Sequence, residues 1–386
     1  MVGIGHLVRS VRSRFWSIPC AALGLASVPC LAQARAQRVQ SAAVDEACRC
    51  RIELEHVLRI DTLTNDGAAA SIFARVQENG QGHFLVAPIR PGGMIARIGP
   101  RGEILQPLAG GGLATGLGQV QDFHSTPMDS VLVLRSSDLT LLEPLGSAVR
   151  NQRLPRNVSA FRFLRLRDGR VVLNNYDPSR PAFVLLSQSL LEVRQFGQAA
   201  PRDDPMDFYA NAYRLADLGD GRFAAVKEAY QYAIEIWDTT GAKVREFSGQ
   251  RHWFQPWTRQ QWLERGPRSP PFARVQGAFF EPPARLWVVA EVPDARTPPH
   301  VTPLRSGERA RTTADMAVIP VEQYDRVFDT ILEAVDIHTG RVIVSQRFDQ
   351  HVRTFTDRGL LWSLLPGEDS RLAIQVWRPV ILPIPQ

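Results

Sequence analysis

The stretch Phe161–Gly197, FRFLRLRDGRVVLNNYDPSRPAFVLLSQSLLEVRQFG, reads as one complete four-stranded antiparallel unit. Its strands fall at Phe161–Arg167, Arg170–Asn174, Ala182–Ser187 and Leu191–Gln195, and Asp168-Gly169 supplies the tight turn between the first two. Val171-Val172-Leu173 and Phe183-Val184-Leu185-Leu186 are apolar on both alternating parities. Such a strand needs a neighbour on each face of its sheet.

The same template recurs on either side. Upstream, Ser71–Glu78, His83–Pro88, Met94–Ile98 and Glu103–Pro107 form one copy, and Gln119–His124, Ser130–Arg135, Leu139–Glu143 and Val149–Leu154 a second. Downstream come Ala210–Ala216, Arg222–Lys227, Ala233–Asp238 and Lys243–Phe247. A fifth copy starts at Ala273–Phe279 and Arg285–Glu291, is interrupted, and resumes at Ile331–Ile337 and Arg341–Phe348. The sixth has Val352–Thr356, Gly359–Leu364 and Leu372–Trp377, with Val380-Ile381-Leu382 at a proline-bounded end. Ile52–Ile60 alternates like a strand and precedes the first copy, so it is placed to complete the last sheet and close a ring. Radial closure buries every sheet face in such a series. The expected fold is therefore all-β, a six-bladed β-propeller of four-stranded antiparallel blades over 52–386, with insertions around blade five at about 250–271 and 292–329. A β-sandwich or two smaller domains is the alternative. No Ser-, Gly- or Pro-rich linker divides the chain, which argues against it.

The N-terminus reads as a processing segment. Arg9, Arg12 and Arg14 precede a mostly apolar run from Phe15 to Leu31, and Ala32-Gln33-Ala34 and Ala34-Arg35-Ala36 offer small-x-small cleavage sites. That is the pattern of a secretory signal peptide over 1–36, followed by a tail at 37–51. The alternative is a retained anchor, against which Pro19 and Pro29 and the short run both count. Loss of the segment removes four arginines and no acid, taking the formal net charge from +6 to +2. The basic balance is then no argument for nucleic acid. The expectation is an exported protein, periplasmic, outer-membrane-associated or extracellular, with no transmembrane span in the mature chain. Cys20 and Cys30 fall within the segment, each behind a proline; Cys48 and Cys50 remain as a terminal pair with the option of bonding to each other.

The run DSVLVL at Asp129–Leu134, the preceding glycine-rich Ile98–Gly118 and the Leu154-Pro155 ending of the second copy resemble bacterial exported six-bladed propellers of the NHL and TolB-like group. The resemblance implies the fold and an exported setting; it implies no particular activity. The group's Gly-Pro-Gly-Glu-Phe-like loop is reduced here to Gly110–Gly118.

HExxH, Walker A, G-x-S-x-G and complete G-x-G-x-x-G patterns are absent. Function is therefore sought on loops and at the channel mouth. Seven positions before Gly82, Gly169 and Gly221 stand Arg75, Arg162 and Arg214, and aligning Asp129 with those glycines adds Asp122. This register predicts a ring of charge at the funnel mouth, suited to an anionic ligand, with pairing between blades as the alternative. Asn174, Asn175 and Asp177 are either turn residues or ligands. Trp253 and Trp257, in HWFQPWTRQQWL, either pack the insertion or stack on a ligand. The leading expectation is a non-enzymatic binder of a partner protein or small ligand, without a cofactor. Its rival is a calcium-dependent lactonase-like hydrolase using Asp122, Asn174, Asn175, Asp177 and Glu228.

Overall fold

In the computed structural model, the described residues are 37–40, 48–63, 75–87, 95–103, 105, 120–126, 128–144, 148–156, 158–199, 207, 209–264, 271–294, 324–366 and 372–384. They form six sheets arranged as a propeller, antiparallel except for one added edge strand. Blade one contains β3 (Arg75–Glu78), β4 (Phe84–Ala87) and β5 (Ala96–Ile98). Backbone bonds from Gly99 N–H to Glu103 O and from Leu105 N–H to Arg97 O continue its hairpin; most of the expected fourth strand lies outside the described residues. Blade two is β6 (Val120–Ser125), β7 (Val131–Arg135), β8 (Asp138–Leu142) and β9 (Ala148–Arg153). Blade three, the opening stretch, is β10 (Ala160–Arg165), β11 (Val171–Asn175), β12 (Phe183–Leu186) and β13 (Glu192–Phe196).

Blade four is β14 (Tyr213–Asp217), β15 (Arg222–Lys227), β16 (Ala233–Asp238) and β17 (Lys243–Ser248), and β1 (Gln37–Gln40) lies parallel to β17 at its edge. A short helix, α1 (Arg259–Glu264), sits in the crossover to blade five. That blade is β18 (Arg274–Glu281), β19 (Arg285–Pro293), β20 (Phe328–Asp336) and β21 (Val342–Phe348), with α2 (Tyr324–Val327) leading into β20. Blade six is β22 (Thr354–Phe355), β23 (Leu361–Pro366), β24 (Leu372–Pro383) and β2 (Cys50–Leu63), in the spatial order β22-β23-β24-β2.

The ring closes as the alternating stretch before blade one predicted. β2 pairs antiparallel with β24 from Cys50 opposite Pro383 to Leu63 opposite Leu372. Arg49 O also accepts from Ile384 N–H at 2.8 Å, so the two chain ends of the propeller meet in one sheet. Cys48 and Cys50 are joined by a disulfide.

Six apolar clusters fill the six interfaces. Leu85 and Val131 meet between blades one and two, Leu134 and Val184 between two and three, and Val172 and Phe223 between three and four. Ile234 and Val288 meet between four and five, Trp287 and Leu361 between five and six, and Trp362 and Phe84 between six and one. This explains strands apolar on both parities. β11 sends Val172 to one neighbour and Leu173 to the other, and both are fully buried. Each sheet is thus half of two cores.

The inner turns keep the register between blades. Gly82, Gly169, Gly221 and Gly359 take φ of 79°, 86°, 79° and 79°, the left-handed region that glycine enters freely. In blade two the same position is Asp129 at φ 59°, whose short polar side chain tolerates that conformation. The alignment of Asp129 with the glycines is therefore real backbone equivalence.

Candidate functional site

The inner strands β3, β6, β10, β14, β18 and β22 surround a cavity of about 370 Å³. Arg75, Asp122, Arg162, Arg214 and Gly277 occupy one level of it, pairing with Ala87, Leu134, Asn174, Val226 and Val289 of the second strands. In β6, β10 and β18 a register shift falls immediately before this level, at Gln121, Phe161 and Gln276. A bulge bends its strand and re-aims the following side chain. Three blades use one at the same height.

Asp122 is the hub of one side. Its carboxylate accepts from Phe123 N–H at 3.1 Å and Phe163 N–H at 3.3 Å, and lies 3.5 Å from Arg75 Nε and 3.9 Å from His124 Nε2. Burial is the main cause that raises its pKa to about 6; His124 and the two backbone donors oppose the rise. The other ring nitrogen of His124 sits 2.6 Å from Asp357 Oδ1. Burial lowers the pKa of His124, but Asp357 and Asp122 outweigh it and bring the value up to about 9, so the ring is a cation at neutral pH.

Arg214 anchors the opposite side. It lies 3.1 Å from Glu228, donates from Nε to Val275 O at 3.1 Å, and reaches Gln276 Oε1 at 3.2 Å. Burial and the neighbouring Arg162 lower its pKa, against the pull of Glu228. Arg162, between the two sides, hydrogen-bonds to Tyr176, whose hydroxyl burial drives up to about 12. The buried Nε atoms of Arg75 and Arg162 make no hydrogen bond, and neither does Glu228 Oε2. Buried polar atoms are nearly always satisfied; of these three, Arg75 Nε has the Asp122 carboxylate as an ion-pair partner 3.5 Å away.

The remaining candidates go elsewhere. Asn174 is wholly buried: its amide donates to Ala182 O at 3.1 Å and Asn211 O at 2.8 Å, and its oxygen accepts from Tyr213 N–H at 2.9 Å. It ties blade three to blade four. Asn175 accepts from Ser159 N–H at 3.0 Å and donates to Pro181 O at 3.2 Å, and Asp177 accepts from Ser179 N–H at 2.9 Å in a local turn. Trp253 is buried, donating to Glu333 Oε1 at 3.3 Å with its ring edge-on to Tyr232. Trp257 stacks on Phe272 at 4.7 Å and donates to Ala273 O at 3.2 Å. Both tryptophans fasten the crossover to blade five. Much of the loop 292–329 lies outside the described residues.

His124, Asp357 and Arg165 were not singled out as channel residues in the sequence, yet all three line the cavity. His124 had a signal, since it stands two residues after Asp122 on one strand and so shares its face. Asp357 stands between the expected strands Val352–Thr356 and Gly359–Leu364, where an acidic residue is an ordinary turn former.

These features define the class: a closed six-bladed propeller with a polar, arginine-rich central channel. Among solved structures, the chain is similar to the Neurospora crassa Pan2 WD40 domain, with 7% identity, 88% of this chain and 97% of that one covered, and a TM-score of 0.46. It is also similar to a catalytically inactive virginiamycin B lyase from Staphylococcus aureus with quinupristin, with 10% identity, coverages of 84% and 99%, and a TM-score of 0.45. Against BBS1N in complex with ARL6DN the figures are 8%, 85% and 97%, and 0.43. At such identities none of these likenesses bears on function. No family model matches the chain, and no curated protein matches it.

Proposed function

We propose that this protein is an exported, non-enzymatic propeller of the NHL and TolB-like kind that binds a small anionic ligand in its central channel. The observation that carries the reading is the pair of buried, unbonded Nε atoms of Arg75 and Arg162 at one level of a cavity that also holds Arg214. Five arginines line that cavity against three aspartates, and protonated His124 adds to the cationic side. Low-dielectric walls strengthen such a field, and a guanidinium presents paired donors to a carboxylate or phosphate. Export rests on the N-terminal sequence pattern. Among the described residues no helix is long and apolar enough to cross a membrane.

A calcium-dependent hydrolytic role fits the residues poorly. Calcium takes about six to eight oxygen ligands, whereas the Asn174 and Asn175 amides are committed to backbone groups and Glu228 faces Arg214. Among the described residues no cluster of three or more His, Cys, Asp or Glu could hold a metal ion.

Thermal unfolding with inorganic phosphate and with malonate tests the anion reading. At about 100 times Kd a bound anion should stabilise the protein by about 2.7 kcal/mol. Arg75→Gln with Arg162→Gln should abolish the gain, with the fold of the variant checked by circular dichroism, since Arg75 also pairs with Asp122 and Arg162 bonds to Tyr176. Failure of every anion to stabilise the wild type would sink the proposal.

A further inference from the structure

We infer that the channel's ligand is an organic carboxylate carrying a flat apolar body, an aromatic carboxylate being the chemistry that fits; this rests on the anion-binding reading above. The cavity is divided lengthwise. Its arginines all come from blades one, three and four, as Arg75, Arg162, Arg165, Arg167 and Arg214. Blade five contributes only Gly277, Ala278, Phe279, Phe280 and Pro282, and blade six adds Phe355 beside them together with Thr354, Thr356 and Asp357. In a six-bladed ring, blade five faces blade two and blade six faces blade three. The apolar wall of blade five therefore stands across the axis from Asp122, with Phe355 at its edge.

The shape of that wall matters as much as its polarity. A Cβ at Gly277 would collide with Thr354 Oγ1, so the Thr354 side chain of blade six packs directly against the blade-five backbone at the arginine level. Phe279 is two residues further along β18, about 7 Å down the axis at ordinary strand rise. Its ring lies 5.9 Å from that of Phe355, tilted by 32°, and it is only partly buried. A carboxylate at Arg75 and Arg162 would place one attached ring alongside Phe279. Phosphate would meet the arginines and leave the apolar wall wet. Ligand sites commonly combine an apolar lining with a few placed polar groups, at volumes of about 300–1,000 Å³. A cavity of about 370 Å³ has room for one small molecule of this kind.

Calorimetric titration of the full chain with acetate, benzoate and cyclohexanecarboxylate tests the inference. Burial of the ring should make benzoate bind at least about tenfold tighter than acetate. Cyclohexanecarboxylate, with similar apolar bulk but no flat face, should rank below benzoate. Phe279→Leu, checked for an unchanged urea midpoint, should weaken benzoate several-fold and leave acetate alone. Equal affinities for acetate and benzoate, or a ranking of cyclohexanecarboxylate at or above benzoate, would overturn the flat-body inference while small-anion binding stands. Absence of binding by all three and by phosphate would remove the anion reading itself.

Discussion

Glu333 has no exposed surface, and three donors converge on it from another blade and the crossover. Tyr232 Oη donates at 2.7 Å, Arg251 Nε at 3.1 Å and Trp253 Nε1 at 3.3 Å, and the Arg251 guanidinium lies over the Tyr232 ring at 4.8 Å. A buried ion pair adds little over apolar residues of the same volume, but removing one partner strands the other. Glu333→Leu should therefore cost about 3–5 kcal/mol, read as a lower urea midpoint, whereas Glu333→Gln keeps acceptor geometry and should cost less. Combining Glu333→Leu with Arg251→Met should recover much of the loss; a double variant as unstable as the single would place the cost elsewhere. The same logic separates the residues read as site candidates. Asn174 and Trp253 looked able to bind a ligand because their polar groups had no visible partner in the sequence. Apart from Ala182 O, eight residues on, those partners are Asn211, Tyr213 and Glu333, all at least 37 residues away. Local sequence carries no signal for bonds of that range.

At the scale of strands, the ring depends on a seam held by β2 and β24. Ile60 of β2 is fully buried in the cluster between blades six and one, with Trp362, Ile374 and Phe84. Ile60→Ala should cost about 2–5 kcal/mol, while Val57→Ala on the exposed edge of the same strand should stay within about 0.5 kcal/mol. Equal effects at both positions in chemical denaturation would show that the seam does not support the ring. Strand positions were largely legible because their cause is local. β15 and β16 lie where the apolar runs and the Asp220-Gly221 turn put them. β14 was expected to begin at Ala210 and begins at Tyr213, because Asn211 is used to cap the loop of blade three through Asp177 O and Arg180 O. β24 runs past Trp377 through two prolines. β23 pairs with it only as far as Trp377, so Pro379 stands where one side of the strand needs no donor. Bulges were invisible in the pattern, although the seven-residue spacing that found Arg75, Asp122, Arg162 and Arg214 held across them. That spacing survives because it is measured from the turn, beyond the bulge.

For the molecule as a whole, the channel exists only when the ring is closed, so its buried charges report on closure and on ligand binding together. Asp122 has a folded pKa of about 6, above its unfolded 3.8. A raised pKa means that the folded state holds the proton more tightly, so this contribution to stability is fully present below 3.8 and lost as pH rises through about 6. His124, at about 9 against 6.5, acts with the same sign: its contribution is fully present below 6.5 and lost as pH rises through about 9. Glu78 and Asp217, also raised by burial, add to the lower step. Glu291, held low chiefly by Arg274 against its own burial, works in the opposite sense only at more acid pH. The readout is therefore the difference between wild type and variant. Subtracting the urea midpoints of Asp122→Asn from those of wild type should isolate a step centred between pH 4 and 6, and His124→Gln one between 6.5 and 9. Anion affinity should follow the same course, since Asp122 becomes neutral below about pH 6 and His124 stays cationic until about pH 9. Phosphate ionises in this range, so malonate, a dianion across pH 6–9, is the better probe of the upper limb. Affinity for malonate that is as strong at pH 10 as at pH 7 would mean that the His124–Asp122 side of the channel takes no part in holding the anion.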